Sequence, residues 1–337
     1  IERGLREPLL RLGDATERVE LMQLLTVAVG ASERGLKGGE RVDAKLSIVE
    51  NGERGIERPD GTISRWAFSE PPPEVVRTGL EVLAALDAAP SLDPAGFIFH
   101  LSRCGSTLLS RLLRQPPGCL VLSEAEIVNK VLLTPSTVLD REDKVQVLRW
   151  LLRALGRRRF GDERHLIVKA SSWNVLHAEL FSEAFPDAGV VWLQRAPAEV
   201  IASMVRRPPS WLRVAPADLA PLIGVAEHEV QSLGLVERCA LSLVGMLTAA
   251  QRLKAPVVDY TDLPDVAWMT VAQEFGLQVT ATDVARMHEE ARFSAKDGNR
   301  RLFNAAADTA TPTHAARAAA AQHADALYVS LRSRRLS

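Results

Sequence analysis

The sequence is short of the residues that mark several large function classes. Three cysteines, Cys104, Cys119 and Cys239, are too few and too scattered for a disulfide framework or a zinc site. A reducing compartment is therefore expected. None of the seven histidines falls in a metal-ligand spacing. No apolar run reaches the roughly 18 residues that span a bilayer as a helix. The longest candidate, "LMQLLTVAVGA" at 21–31, follows Glu17, Arg18 and Glu20 and reads as a buried helix. Neither charge is in excess: 41 Lys and Arg face 42 Asp and Glu, for a formal net charge of −1. That balance argues against a sequence-independent nucleic-acid binder, while leaving room for a local basic pocket. There is no internal repeat. The chain opens on Ile1 rather than Met, as it would after removal of a signal sequence, but the expected location is cytoplasmic.

What is present falls into two textures. Residues 1–90 form an extension: the helix at 21–31, then a Gly-rich charged piece, then a second helix. In the charged piece, short alternating runs are split by Asn51-Gly52 and Asp60-Gly61, both favoured hairpin turns, so an antiparallel ribbon is predicted over about 44–68. "EPPPEVVRTGLEVLAAL" starts a helix with prolines in its first turn, and "DAAPSLDPAG" at 87–96 reads as a linker. Residues 91–337 make the main domain. From Phe97 short apolar runs without alternation, at 97–101, 119–122, 165–169, 189–194 and 256–260, are separated by longer helical stretches. The helices are expected at 140–155, 174–185, 197–206 and 236–253. Unbroken apolar strands between helices predict an α/β domain with a mostly parallel sheet covered on both faces. The tail from 311 fits one helix, with Thr311 as cap and Pro312 at its first position.

The first of those strands runs into "SRCGSTLL" at 102–109. A strand-to-helix turn leaves backbone amides unpaired at the positive end of a helix dipole, and small or hydroxylated residues let an anion approach them. Ser102, Gly105, Ser106 and Thr107 supply such residues. A nucleoside-triphosphate P-loop would place a lysine after the glycine. Ser106 stands there instead, and the turn's one cation is Arg103, ahead of Gly105. The plain reading is a Gly turn with Ser106 and Thr107 capping a helix. A second cluster weighs against that: Lys169 ends one strand and Arg195 the next, and ligands of open α/β sheets bind beyond the carboxyl ends of strands. Ser203 follows Arg195 by eight residues, on a helix that Pro197 helps start. Arg103, Lys169 and Arg195 are thus expected around one polyanion.

At these residues the chain resembles the PAPS-dependent sulfotransferases, where PAPS is 3′-phosphoadenosine 5′-phosphosulfate. The resemblance implies a P-loop-containing nucleotide-binding fold. The family's first motif, gripping the 5′-phosphosulfate, is similar to "SRCGSTLL", which implies roles for Arg103, Cys104, Gly105, Ser106, Thr107 and Leu108. Its second motif, an arginine and a serine eight residues apart on the 3′-phosphate, matches Arg195 and Ser203. "FPDA" at 185–188 and "DYTDL" at 259–263 are further signposts. In spacing the chain is most similar to tyrosylprotein sulfotransferases and their bacterial relatives: Glu124 follows Arg103 by 21 residues, where those enzymes carry a glutamate base, and Lys169 precedes Arg195 by 26, as their sulfuryl-contacting lysine does. The likeness covers about 97–263. Departures are Ser171, where the cytosolic small-molecule enzymes have a histidine base, a missing proline nearby, and a C-terminal phosphate clamp for which "SAKDGNRR" at 294–301 is the nearest stand-in.

The resemblance implies in-line sulfuryl transfer from PAPS to a hydroxyl or amine, giving 3′,5′-ADP, with no metal. Glu124 would be the base, and Lys169 and Arg103 would meet charge on the leaving phosphate. As a sequence feature alone, Glu124 also reads as a helix-start carboxylate, with Ser123 capping and Glu126 at the third position. Trp173 reads first as core and second as a stacking partner for adenine or a wall of the acceptor cleft; Tyr260 is a weaker candidate for either of the last two roles. The expected partners are the donor and an acceptor, whether small molecule, carbohydrate, lipid or peptide; neither nucleic acid nor a membrane span is expected. The parts without motifs, 1–90, 206–235 and the C-terminal third, are expected to wall the acceptor cleft. Oligomeric state is not legible. The rival readings are a P-loop nucleotide kinase or phosphotransferase, which the missing lysine opposes, and a nucleotide-binding protein without turnover.

Overall fold

A computed structural model describes residues 83–84, 87, 90–158, 161–294, 301–304 and 310–334, with the backbone of three strands nearer the N-terminus. Those strands, β1 (Leu46–Ile48), β2 (Arg54–Glu57) and β3 (Ile63–Arg65), form an antiparallel ribbon in sequential order, in register from Leu46 opposite Ile56 and from Gly55 opposite Arg65. The ribbon falls inside the span that the Asn-Gly and Asp-Gly turns predict. The helix expected at 21–31 lies outside the described residues, as does most of the one begun by the prolines at 71–73.

The remaining strands are β4 (Pro94–His100), β5 (Cys119–Ser123), β6 (His165–Lys169), β7 (Gly189–Gln194) and β8 (Val257–Asp259). They form one parallel sheet in the order β5-β6-β4-β7-β8, with helices between successive strands. The α/β architecture is as the alternation of apolar runs and helices requires. Phe97, Ile98, Phe99 and Leu101 are wholly buried, as are Leu166, Ile167, Val191 and Leu193. Strands apolar on both faces can be satisfied only between two helical layers.

Two compact units interleave along the chain. The first takes residues 1–95, 117–168 and 179–188. Its helices are α2 (Glu126–Leu133), α3 (Arg141–Leu155) and α4 (Ala178–Ala184). Asp140 caps α3 by accepting the Asp143 amide, and Arg149 from α3 donates to the carbonyls of Glu183 and Ala184, meeting the negative end of α4. Residues 91–95, expected in a linker, belong instead to structure: Ser91 bridges to Arg157, Leu92 is buried and donates to the Gly156 carbonyl at 3.0 Å, and β4 has begun by Pro94. An apolar leucine between two prolines found a backbone partner that composition does not reveal.

The second unit takes residues 96–116, 169–178 and 189–337. It contains α1 (Ser106–Leu113), α5 (Pro197–Arg206), α6 (Leu235–Gln251) and α7 (Ala281–Ala291). The stretch after β6 starts as a 3-10 helix (Ser172–His177) rather than an α-helix from 174. The tail helix is capped by Thr313, whose hydroxyl accepts the Ala316 amide, and not by Thr311. It passes through a π segment (Ala320–Ala324) before ending at Arg332.

The strand order places a switch in direction at β4. From β4 the chain goes to β5 at the sheet's edge, returns in β6, and crosses to β7 on the other side. β4 and β7 pair in parallel from Gly96 opposite Gly189 to His100 opposite Leu193. The segments that follow these two strands diverge, and the crevice beyond their carboxyl ends is where open α/β sheets take ligands.

Candidate functional site

The second unit builds that crevice from three strand ends. Beyond β4, the Leu101 amide donates to the Leu193 carbonyl at 3.0 Å, so the pairing with β7 runs one residue past the strand. The chain then turns through Ser102–Gly105. Arg103 has φ 57° and Gly105 φ 93°. A Cβ at position 105 would stand 2.6 Å from Cδ2 of Tyr260, so glycine is required there by backbone and by neighbour. Gly105 is itself the residue that opens α1, with no side-chain cap and no acidic residue in the first turn. Ser106 and Thr107 therefore do not act as caps in the way a plain helix start would use them. No acidic residue of its own first turn offsets the positive partial charge at the amide end of α1.

Cys104, at the base of the turn, is completely buried. Burial pushes its thiol up to about 12, against bonds from the Ser106 amide and its own and the positive charges of Lys169 and Arg195. Lys169 and Arg195 thus both act on the floor of the turn. Lys169, the last residue of β6, is only 4% exposed, and Arg195, just past β7, 9%. Ser203 is buried on α5. Arg103 sends Nη2 to the Arg207 carbonyl at 2.7 Å, at the end of the same helix. Leu108 is half-buried and Thr107 exposed.

Further contacts join the strand ends. The Ser102 and Ser172 hydroxyls hydrogen-bond at 2.9 Å, both buried. The His100 ring nitrogens stand 2.8 and 2.9 Å from the carbonyl oxygens of Leu101 and Ala170. Arg195 donates from Nε to Glu199 Oε2 at 2.5 Å, and its guanidinium lies 4.2 Å over the centroid of the Tyr260 ring. Sequence reasoning missed Ser172, Glu199 and this role of Tyr260. Glu199 was within reach of it, since it lies four residues after Arg195 on a helix announced by Pro197. Trp173 is buried and packs edge-on to His177, centroids 5.8 Å apart, in accord with its reading as core. Within the 294–301 stretch, residues 295–300 lie outside the described residues; its two ends pair through the Ser294 amide and the Arg301 carbonyl at 2.7 Å.

In the first unit, Glu124 follows β5 with φ 49°. The helix beyond it starts at Glu126, with Ala125 at the cap position and no side-chain cap. The expected cap by Ser123 with Glu126 at the third position is therefore incorrect: β5 runs through Ser123, and the left-handed residue 124 separates the serine from the helix.

Among the described residues no group of three His, Cys, Asp or Glu side chains is placed to hold a metal, and no helix is long and apolar enough to cross a membrane.

No protein-family model matches the chain. No curated protein matches it either. Among solved structures it is similar to a sulfotransferase from Mycobacterium avium, at 14% identity over 73% of this chain and 80% of that one, with a TM-score of 0.41. It is similar to a sulfotransferase from Alicyclobacillus acidocaldarius, at 15% identity over 59% of this chain and 93% of the other, with a TM-score of 0.35. The sulfotransferase domain of the curacin biosynthetic pathway gives 17%, 69% and 98%, with a TM-score of 0.35. The chemistry is read from the residues themselves.

Proposed function

We propose that this chain is a bacterial, cytoplasmic sulfotransferase that moves a sulfuryl group from PAPS to a hydroxyl or amine acceptor, in line and without a metal. One observation carries the reading. Among the described residues, the two non-glycine residues at positive φ are Arg103 and Glu124, at 57° and 49°. They are the cation of the anion turn and the carboxylate at the base position. A left-handed backbone costs an ordinary residue roughly 1–2 kcal/mol. Such strain persists where a particular side chain must be delivered at a bend, and it clusters at functional sites.

The roles follow from the residue types. Amides of Cys104–Leu108, with the Ser106 and Thr107 hydroxyls, hold the 5′-phosphosulfate at the positive end of α1. Arg195 and Ser203 hold the 3′-phosphate; with Nε given to Glu199, the arginine meets it through its Nη groups. The acceptor oxygen or nitrogen bonds to sulfur as the bond from sulfur to the bridging phosphate oxygen breaks, leaving 3′,5′-ADP. Negative charge grows on that oxygen, and Lys169 and Arg103 meet it. Glu124 takes the acceptor's proton. Two buried cations beside an uncapped helix start complement a polyanion, and their attraction is stronger for being shielded from water.

The test is incubation with labelled PAPS and a panel of phenols, alcohols, amines and sugars, alongside thermal shift with 3′,5′-ADP and with ATP plus magnesium. Stabilisation by 3′,5′-ADP with label transfer to at least one acceptor class is expected. Stabilisation by ATP and magnesium alone would indicate a kinase, and 3′,5′-ADP binding with no transfer to any class a binding protein.

A further inference from the structure

The geometry points to Tyr260 as the spacer that sets the distance between the anion turn and Arg195, and so makes the site select a nucleotide with two separated phosphates over one with a single phosphate. The inference rests on the reading of the site as one for 3′,5′-ADP and its sulfated form.

Both halves of the site touch the same ring. On one side, the turn's backbone at Gly105 comes so close that an added Cβ would lie 2.6 Å from Cδ2 and 2.9 Å from Cε2 of Tyr260. On the other, the Arg195 guanidinium lies 4.2 Å over the ring centroid, within the reach of a cation–π contact. With one face under Arg195 and an edge against the turn, the ring's contacts belong to the site's framework more than to an adenine.

The ring is held from behind. Tyr260 follows β8 in a short 3-10 turn (Tyr260–Asp262). Asp259, immediately before it, is buried; its Oδ1 accepts from the Thr261 amide at 3.1 Å and hydroxyl at 2.9 Å, and its Oδ2 accepts the buried Tyr328 hydroxyl at 2.6 Å. The Asp259 amide in turn donates to Asp262 Oδ2 at 3.1 Å. The tail helix thereby fixes the backbone that carries the spacer. Arg195 is held at Nε by Glu199. Neither the turn nor the guanidinium can approach the other without moving the ring.

A rigid gap between two anion subsites discriminates by distance. A ligand with phosphates on both sides of its ribose reaches both subsites; 5′-AMP reaches the turn alone. Removing the ring frees Arg195 to swing or collapse toward the turn, which costs the second phosphate's contribution and spares the first.

The experiment is calorimetric titration of the full chain and its variants with 3′,5′-ADP and with 5′-AMP. Wild type should prefer 3′,5′-ADP. Tyr260→Phe, which keeps the ring, should hold that ratio within about twofold, while Tyr260→Leu should lower it tenfold or more, chiefly through weaker 3′,5′-ADP binding. Tyr260→Met, which puts a flexible side chain in place of the ring, should lower it similarly, and it carries the test if Tyr260→Leu does not fold by circular dichroism. An unchanged ratio in Tyr260→Leu, or in Tyr260→Met where that variant stands in for it, would overturn the spacer, as would equal loss in Tyr260→Phe and Tyr260→Leu. Wild type that binds neither ligand would overturn the nucleotide reading and the spacer with it.

Discussion

Replacing Glu124 by glycine and, separately, by alanine divides the cost of its backbone from the work of its side chain. At φ 49° the residue sits in the left-handed region, which costs a residue with a Cβ roughly 1–2 kcal/mol. Alanine removes the carboxylate and keeps that cost. Glycine removes both, but its more flexible unfolded chain returns about 0.5–1 kcal/mol of the gain. The glycine variant should therefore be as stable as the alanine variant or up to about 1.5 kcal/mol more so. At an ordinary position in a strand or helix the order is reversed, alanine leading by about 0.5–1 kcal/mol. The sign of the difference is what decides. Urea unfolding of the two variants, followed by far-ultraviolet circular dichroism and fluorescence, measures it directly. Both variants lack the proposed base, so sulfuryl transfer should fall in both by about 10²–10⁴-fold. A glycine variant less stable than alanine by 0.5 kcal/mol or more would refute the strain; transfer at the wild-type rate in either would refute the base.

Three further outcomes are expected. Arg195→Ala should weaken 3′,5′-ADP by about 2–5 kcal/mol, roughly 30-fold or more, while Glu124→Gln leaves that affinity intact and removes turnover; equal loss of binding in both, by calorimetry, would mean the roles are misassigned. Gly105→Ala should lose about 2–5 kcal/mol in thermal unfolding, from left-handed strain and overlap with the Tyr260 ring, and a variant as stable as wild type would contradict the turn's geometry. The thiols of Cys104 and Cys239, both pushed up by burial from 9.0 to about 12, stay protonated in the folded chain over a range where the unfolded chain ionises. Their contribution to stability is complete below about pH 8, falls as pH rises past 9, and levels off near 12. Equilibrium unfolding across pH 8–11 should show that decline, and Cys104→Ala should flatten it; a limb of unchanged slope would exclude the thiol as its source.

Much of the fold could be read from residue order alone. The five strands of the main sheet lie within three residues at either end of the apolar runs that predict them, because a strand buried on both faces cannot accept a polar residue in its middle. Helices α3, α5 and α6 start and stop within two residues of expectation, since Asp140, Pro197 and the apolar spacing are local signals. Legibility failed where a backbone group took a distant partner, as Leu92 does on Gly156 in what composition makes a linker, and at the tail's cap, where Thr313 rather than the equally suitable Thr311 accepts the Ala316 amide. In the site, Arg103, Gly105, Lys169 and Arg195 were visible from their place at strand ends. The left-handed turn at Glu124 was not, because nothing in "VLSEAE" requires it.

Composition and residue order determined that this chain forms an α/β sheet with a hydroxyl-rich, lysine-free turn after its first strand and cations at three strand ends. Periodicity and turn chemistry act over a few residues, so they survive in a one-dimensional reading. The tertiary structure alone decided which side chains meet across long separations: Ser102 with Ser172, Asp259 with Tyr328, and Gly105 and Arg195 on the one ring of Tyr260. It also decided that Gly96 and Gly189, opposite each other in the sheet, must be bare, because the Phe275 ring occupies the space a Cβ would need at 96 and the Glu274 carbonyl oxygen the space at 189. Such contacts arise from packing elements distant in sequence to crystal-like density, and no local pattern records them.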